Sequence, residues 1–238
     1  MQRWKDKVAV VTGASSGIGA AVVVQLVRQG LQVVGLARRI DRVQELSDRL
    51  TEGPGKLHPI KCDLSKEEDI LSAFEEVKKE LGGVDILVNN AGVVHQSLLS
   101  EGSTDEWRNM LDVNVLALSV CTREALRSLN ERNKDEGHVI HINSIAGHYN
   151  LSTPGFHMYS ATKHAVTALT EGLRVELVSQ GSKIRVTSIS PGLVDTELLR
   201  AGAKSLDPEE LFTRLPSLKP SDVADAVVYV LSTPSNVQ

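Results

Sequence analysis

Tyr159 and Lys163 stand four residues apart, a spacing that puts a phenol and an ammonium on one helix face, one turn from each other. A free phenol titrates near ~10, so at neutral pH it is a slow acid and almost never a base. A cation beside it favours the phenolate and brings its pKa down, making the pair a proton donor and acceptor usable near pH 7. The same spacing also decorates ordinary amphipathic surfaces, so the rest of the chain must decide between the two.

Residues 12–19 read Thr12-Gly13-Ala14-Ser15-Ser16-Gly17-Ile18-Gly19, between a predicted first strand and a predicted first helix. Gly13, Gly17 and Gly19 allow a close backbone approach to a ligand, and a helix starting there aims free N–H groups at an anion. That context predicts a dinucleotide site. An acid for a ribose 2′-hydroxyl is expected about 20 residues later. The sequence has Arg38 and Arg39 instead, with no acid before Asp41. Two guanidiniums would clamp a 2′-phosphate, so the expected cofactor is NADP(H); the alternative is a solvated basic start to the next helix.

The elements that must position these residues are short β-branched runs alternating with longer helical stretches. Residues 7–12, 31–37, 56–61, 84–89, 138–143 and 184–190 read as strands whose near-continuous apolar character suits burial on both faces. Capping boxes are expected at Ser65-Lys66-Glu67-Glu68 and Ser103-Thr104-Asp105-Glu106. Ser221-Asp222 after Pro220 opens the last helix. Alternation of this kind gives a single α/β domain, a doubly wound parallel sheet of Rossmann type with helices on both faces. Residues 112–121 are apolar almost all round, more than one helix face needs. The surplus, with the apolar positions Ala165, Val166, Ala168 and Leu169 of the Tyr159 helix, is expected to meet a second subunit, giving a homodimer or homotetramer.

Composition narrows the class. A 238-residue chain suits one sizeable domain that needs no staples. Aromatics make up only 3%, so the core must rest on Val, Leu, Ile and Ala. The net charge of −4 is spread without a basic tract, which argues against nucleic acid. Cys62 and Cys121 fit neither a disulfide framework nor a zinc site, and the scattered His95, His138, His141, His148 and His157 suggest no metal. His148 and His157 are candidates to reach a substrate. Reduced thiols, no signal-peptide pattern and no membrane-span run make the expected setting cytoplasmic.

Thr12-Gly13-x-x-x-Gly17-x-Gly19, Asn89-Asn90-Ala91-Gly92, Ser144, Tyr159-x-x-x-Lys163 and Pro191-Gly192 occur in this order. Together they resemble the short-chain dehydrogenase/reductase family over essentially the whole chain, and stretches at 114–125, 165–174 and 229–234 narrow the resemblance to NADP-dependent members. The resemblance implies roles. Tyr159 would be general acid in ketone reduction and base in alcohol oxidation. Lys163 would lower its pKa and bond the nicotinamide ribose. Ser144 would hold the substrate oxygen, and Asn114 would complete a water relay to Lys163. Asp63 and Leu64 would meet the adenine, while Asn90, Ala91 and Gly92 would line its ribose. Pro191, Gly192, Val194 and Thr196 would fix the nicotinamide end.

In this family a segment at about 193–219 closes over the nicotinamide. Here it carries Leu193, Leu198, Leu199, Leu206, Leu211, Phe212 and Leu215, with Asp207-Pro208-Glu209 starting a short helix. Leu151, Phe156 and Met158 join them, so the substrate expected is a small lipophilic carbonyl or alcohol, such as an isoprenoid or a steroid. A catalytically idle NADP(H)-binding sensor or scaffold is the alternative; an isomerase or dehydratase of the same family is a third reading. Family members also continue into a final strand, which the 238 residues lack, so a six-stranded sheet with an open edge and a missing tail is expected.

Overall fold

Six strands, Val8–Thr12 (β1), Gln32–Ala37 (β2), Lys56–Lys61 (β3), Ile86–Asn89 (β4), His138–Ile142 (β5) and Arg185–Ile189 (β6), form one sheet in the order β3-β2-β1-β4-β5-β6. Every pairing is parallel, with Thr12 opposite Leu36 and Val11 opposite Val88. The computed structural model describes residues 1–202 and 208–237. The doubly wound parallel architecture is as expected, each strand lying within two residues of its predicted span.

The central strands β1, β2 and β4 are mostly apolar because each serves two cores at once. The edge strands β3 and β6 instead carry Lys56, His58 and Lys61, and Arg185, Thr187 and Ser188, against the near-continuous apolar character expected of them. Ala9 and Val11 of β1, Val33 of β2, Ile86 and Val88 of β4 and Ile140 of β5 face one side. There they meet helices Gly17–Arg28 (α1), Ile40–Arg49 (α2) and Pro220–Ser232 (α9) through Val22, Leu26, Val43, Val223 and Val227. The alternate residues Val8, Val10, Val34, Leu36, Leu87 and Val139 face the other side. Their partners are Glu67–Leu81 (α3), Leu118–Glu131 (α5) and His157–Ser179 (α6), through Ile70, Phe74, Cys121, Leu129 and Leu173. A period of two thus splits one strand between two layers.

Helix starts differ from expectation in two places. Ser103 does cap the helix Thr104–Leu111 (α4), its hydroxyl accepting the Asp105 N–H at 3.3 Å. Ser65 does not cap α3, which begins two residues later with Lys66 at the cap position. The Asp63 carboxylate takes Ser65 instead, accepting from its N–H at 3.1 Å and its hydroxyl at 2.8 Å, a local turn that outcompetes the cap. The last helix opens at Pro220, with the Lys219 N–H donating to Asp222 at 2.8 Å, so Asp222 rather than Ser221 makes the capping bond.

Between α4 and α5 the helix continues through a wider π turn, Asp112–Ala117. This turn distributes the apolar surplus of 112–121. Asn114 and Ala117 go inward, Val113 faces a cleft, and Leu116 stays 55% exposed. After β6 come the short helices Glu197–Gly202 (α7) and Pro208–Arg214 (α8). Pro208 opens α8 as expected; Leu206, Asp207 and the side chain of Leu211 lie outside the described residues.

Candidate active site

The chain runs from β1 outward to β3, then returns to the other side of β1 to form β4. The loops leaving β1 and β4 therefore diverge and open a crevice at the C-terminal strand ends. A cleft of about 700 Å³ lies there, and every strand end contributes to it. Gly13 and Ser15–Ile18 follow β1, Arg38 and Arg39 follow β2, and Cys62–Leu64 follow β3. Asn90–His95 follow β4, Asn143–Ile145 follow β5, and Pro191–Val194 follow β6.

The phosphate end is built on close approach. A Cβ on Gly19 would sit 2.3 Å from the Gly13 carbonyl oxygen and 2.5 Å from Asn90 Nδ2. Gly13 has φ +69, and its Cβ would meet Ala91 Cα at 2.9 Å. Only glycines let α1 start this near the end of β1. The turn is tied from below: Thr12 Oγ1 accepts the N–H groups of Asn90 and Ala91, each at 3.0 Å. Asn90 Nδ2 in turn donates to the Thr12 carbonyl at 2.9 Å and the Gly13 carbonyl at 3.3 Å. Ser16, at the N-cap of α1, makes no side-chain bond to that helix, so the free N–H groups of the first turn stay available to an anion. Gly17, Ile18, Arg38 and Arg39 border the same space, and Arg39 Nη2 reaches Ser16 Oγ at 3.0 Å. These residues fit a dinucleotide's phosphates.

Asp63 and Leu64 close the side of β3, where an adenine would rest. The Asp63 carboxyl lies below its ordinary range. Burial opposes this, but Ser65's hydrogen bonds and the charges of Arg38 and Lys66 outweigh it.

At the other end Ser144 starts a tight turn, Ile145–Gly147, its hydroxyl accepting the Ala146 N–H at 3.1 Å. That leaves the Ser144 proton free to favour the phenolate form of the neighbouring Tyr159. A Cβ on Gly147 would meet the Lys163 carbonyl at 2.6 Å, so the missing side chain is what lets this turn press onto α6. Lys163 Nζ lies 5.8 Å from the Tyr159 ring centre and donates to the Ile142 carbonyl at 3.0 Å.

Burial governs both ionisations. It pushes the Tyr159 phenol up to about 12, Ser144's hydrogen bond pulling the other way, and pushes Lys163 down to about 8. The expected lowering of Tyr159 by Lys163 is therefore not found. Desolvation of the phenolate dominates, and the ammonium is directed at a backbone carbonyl.

Residues 7–206 match the short chain dehydrogenase family. The chain belongs to that family, and it is an oxidoreductase. It is 53% identical to human dehydrogenase/reductase SDR family member 11, covering all of this chain and 93% of that one. It is 50% identical to farnesol dehydrogenase of Aedes aegypti, covering all of this chain and 95% of that one. Among solved structures, the closed form of a serine dehydrogenase complexed with NADP+ superposes with a TM-score of 0.87 at 33% identity, covering 97% of this chain and 91% of that one.

Within this family frame, the Asn114 side chain is held by neighbouring protein groups. Its Nδ2 donates to the Val93 carbonyl at 2.9 Å and to Thr162 Oγ1 at 3.0 Å, and its Oδ1 accepts the Val93 N–H at 2.8 Å. Thr162 Oγ1 donates onward to the Tyr159 carbonyl at 2.7 Å. The Asn114 side chain is thus a clamp that joins the π turn, the loop after β4 and the first turns of α6, and it positions Tyr159.

Pro191, Gly192, Val194 and Thr196 all border the cleft, and Thr196 Cγ2 would lie 3.2 Å from a Cβ on Gly17. The two ends of the segment after β6 are joined by backbone bonds, Leu218 N–H to the Leu193 carbonyl at 2.8 Å and Asp195 N–H to the Leu218 carbonyl at 3.0 Å. Leu151, Phe156, Leu193, Leu198 and Leu199 line the adjoining wall as expected, and Met158 packs behind them.

Neither predicted histidine reaches this wall. His148 bonds Ser190 Oγ at 2.9 Å and His157 is exposed. His95 lines it instead, held to Asn109 Oδ1 at 2.9 Å, and Val113 stands one turn beyond Asn109 on the same face. His138 and His141 are buried in β5, and burial lowers both, to about 3 and about 4. Among the described residues no three His, Cys, Asp or Glu side chains form a metal-ligand group.

Proposed function

We propose that this protein is an NADP(H)-dependent alcohol dehydrogenase/carbonyl reductase acting on a lipophilic substrate, with Tyr159 as the proton-transferring residue. The observation that carries the reading is the convergence of Ser144, Tyr159 and Lys163 between an arginine-bordered glycine turn and an apolar wall. The bound nicotinamide dinucleotide supplies the hydride chemistry. Ser144 and Tyr159 direct two O–H donors at one substrate oxygen and stabilise the alkoxide as it develops. A phenol near 12 is still a far stronger acid than an alcohol, so Tyr159 suits proton donation in the reducing direction. Lys163, near 8, keeps a proton close to Tyr159 at neutral pH.

Arg38 and Arg39, with no acid at the end of β2, support NADP(H) over NAD(H). The solved relative that carries NADP+ and the relative named for farnesol, a lipophilic alcohol, agree with both parts of the reading. The free, buried Cys62 and Cys121 suit a reducing, cytoplasmic setting, and no helix among the described residues is long and apolar enough to cross a membrane.

The test mixes protein with NADPH, then NADH, and a panel of isoprenoid and steroid ketones, aldehydes and alcohols, following cofactor absorbance. Turnover with NADPH favoured is the expected result. Tight NADPH binding with no substrate turned over would replace this reading by that of a sensor or scaffold.

The exposed apolar side chains Leu111, Leu116, Leu169, Val175 and Val178, on the helix Thr104–Leu111, the π turn and α6, support a homodimer or homotetramer closed through these helices. Light scattering should give a multiple of the chain mass, reduced by Leu116→Lys; a monomeric wild type would end that reading.

A further inference from the structure

We propose that Glu197 is an exchangeable counter-ion of the 2′-phosphate clamp and that Arg42 belongs to the clamp, so that an arriving phosphate displaces Glu197 and frees the start of α7. The proposal rests on the NADP(H) reading above. Glu197 borders the cleft as the first residue of α7, yet its carboxylate is held by the start of α2. Arg39 Nη2 reaches Glu197 Oε2 at 2.9 Å, and Arg42 Nη1 reaches Oε1 at 2.7 Å. Arg39 also touches Ser16 Oγ at 3.0 Å and Ser15 Oγ at 3.4 Å, on the glycine turn. Thr196 packs over Gly17 beside it. A carboxylate of the protein's own chain therefore occupies Arg39, which touches the phosphate-binding turn, together with Arg42.

The chemistry favours exchange. Hydrogen bonds from Arg42 and Arg39 hold the Glu197 carboxyl below its ordinary range, so it competes as an anion at neutral pH. A phosphate monoester carries more charge and three acceptor oxygens, and two forked guanidiniums satisfy it better than they satisfy one carboxylate. All three side chains are about half exposed, so the internal pairs are screened and easily surrendered. An uncharged group beside the ribose has no such leverage. Glu197 thus sets a threshold that the 2′-phosphate passes and a bare 2′-hydroxyl does not, and it couples cofactor arrival to the first turn of the lid.

Calorimetry with 2′,5′-ADP and 5′-ADP, which lack the nicotinamide, tests this on the full chain. Glu197→Gln should bind 2′,5′-ADP about five- to tenfold more tightly with 5′-ADP unchanged, and Arg42→Met should weaken 2′,5′-ADP by a similar factor. In the unmodified protein, amide exchange over 197–202 should accelerate on adding 2′,5′-ADP and not on adding 5′-ADP. A Glu197→Gln variant with unchanged or weaker affinity, or exchange at 197–202 that slows, overturns the counter-ion while leaving NADP(H) preference standing. Equal affinity of the unmodified protein for the two nucleotides removes the NADP(H) reading itself, and the proposal with it.

Discussion

Tyr159→Phe is expected to lower kcat for carbonyl reduction by about 10³-fold, within the range of general acid catalysis, with cofactor affinity unchanged. The ring sits in an apolar cluster with Val94, Met110, Ala146 and Phe156, and phenylalanine fills the same volume. Only the oxygen goes. On the proposed mechanism, the proton donor and one of two hydrogen bonds to the developing alkoxide go with it, while Ser144 supplies the other. Because the phenol is held near 12 by burial, most of the loss should appear in the proton-coupled step rather than in substrate binding. Single-turnover reduction beside NADPH titration separates the two. A variant that retains most of its activity would mean that another group donates the proton.

How much of this was legible in the sequence depends on the range of the interaction. The strands were readable because burial on both faces leaves an unbroken apolar run, as in Val8–Thr12. The glycine turn was readable because Gly13, Gly17 and Gly19 answer to local backbone sterics. The Ser65 cap was misread because Asp63, two residues upstream, competes for the same hydroxyl. The π turn at Asp112–Ala117 changes backbone register without any signature in composition, and it decides that Asn114 points at Val93 and Thr162. Glu197 with Arg42 joins residues 155 positions apart, and His95 with Asn109 spans 14 positions across a loop, so no spacing rule announces either. The ionisation of Tyr159 was misjudged for a related reason: spacing indicates who is near, whereas the pKa follows how much water is excluded.

That exclusion of water also sets a cost, which Lys163→Met should expose. The Lys163 side chain is 6% exposed, and its ammonium bonds the Ile142 carbonyl at 3.0 Å. A folded value of about 8 against the ordinary 10.5 corresponds to roughly 3 kcal/mol of destabilisation while the group is charged. The sign follows from proton counting. Below pH 8 both folded and unfolded states hold the proton and the full cost of burying it is present. Between 8 and 10.5 the unfolded chain binds more protons, so stability rises with pH, and above 10.5 the cost is gone. Methionine has a similar length and no charge, but it leaves the Ile142 carbonyl short of a donor, which returns about 1–3 kcal/mol. The net expectation is a variant at least as stable as the parent at pH 7, by about 0–2 kcal/mol, whose advantage fades toward pH 10. Its kcat should nonetheless fall by at least about 10²-fold, since the proton held beside Tyr159 is lost. Urea unfolding at the two pH values, run beside the NADPH assay, measures both effects. A variant much less stable at pH 7 would show that the ammonium is part of the scaffold. A variant that is stable and inactive would place it where the geometry does, as a charge kept in the core at the expense of stability for the reaction at Tyr159.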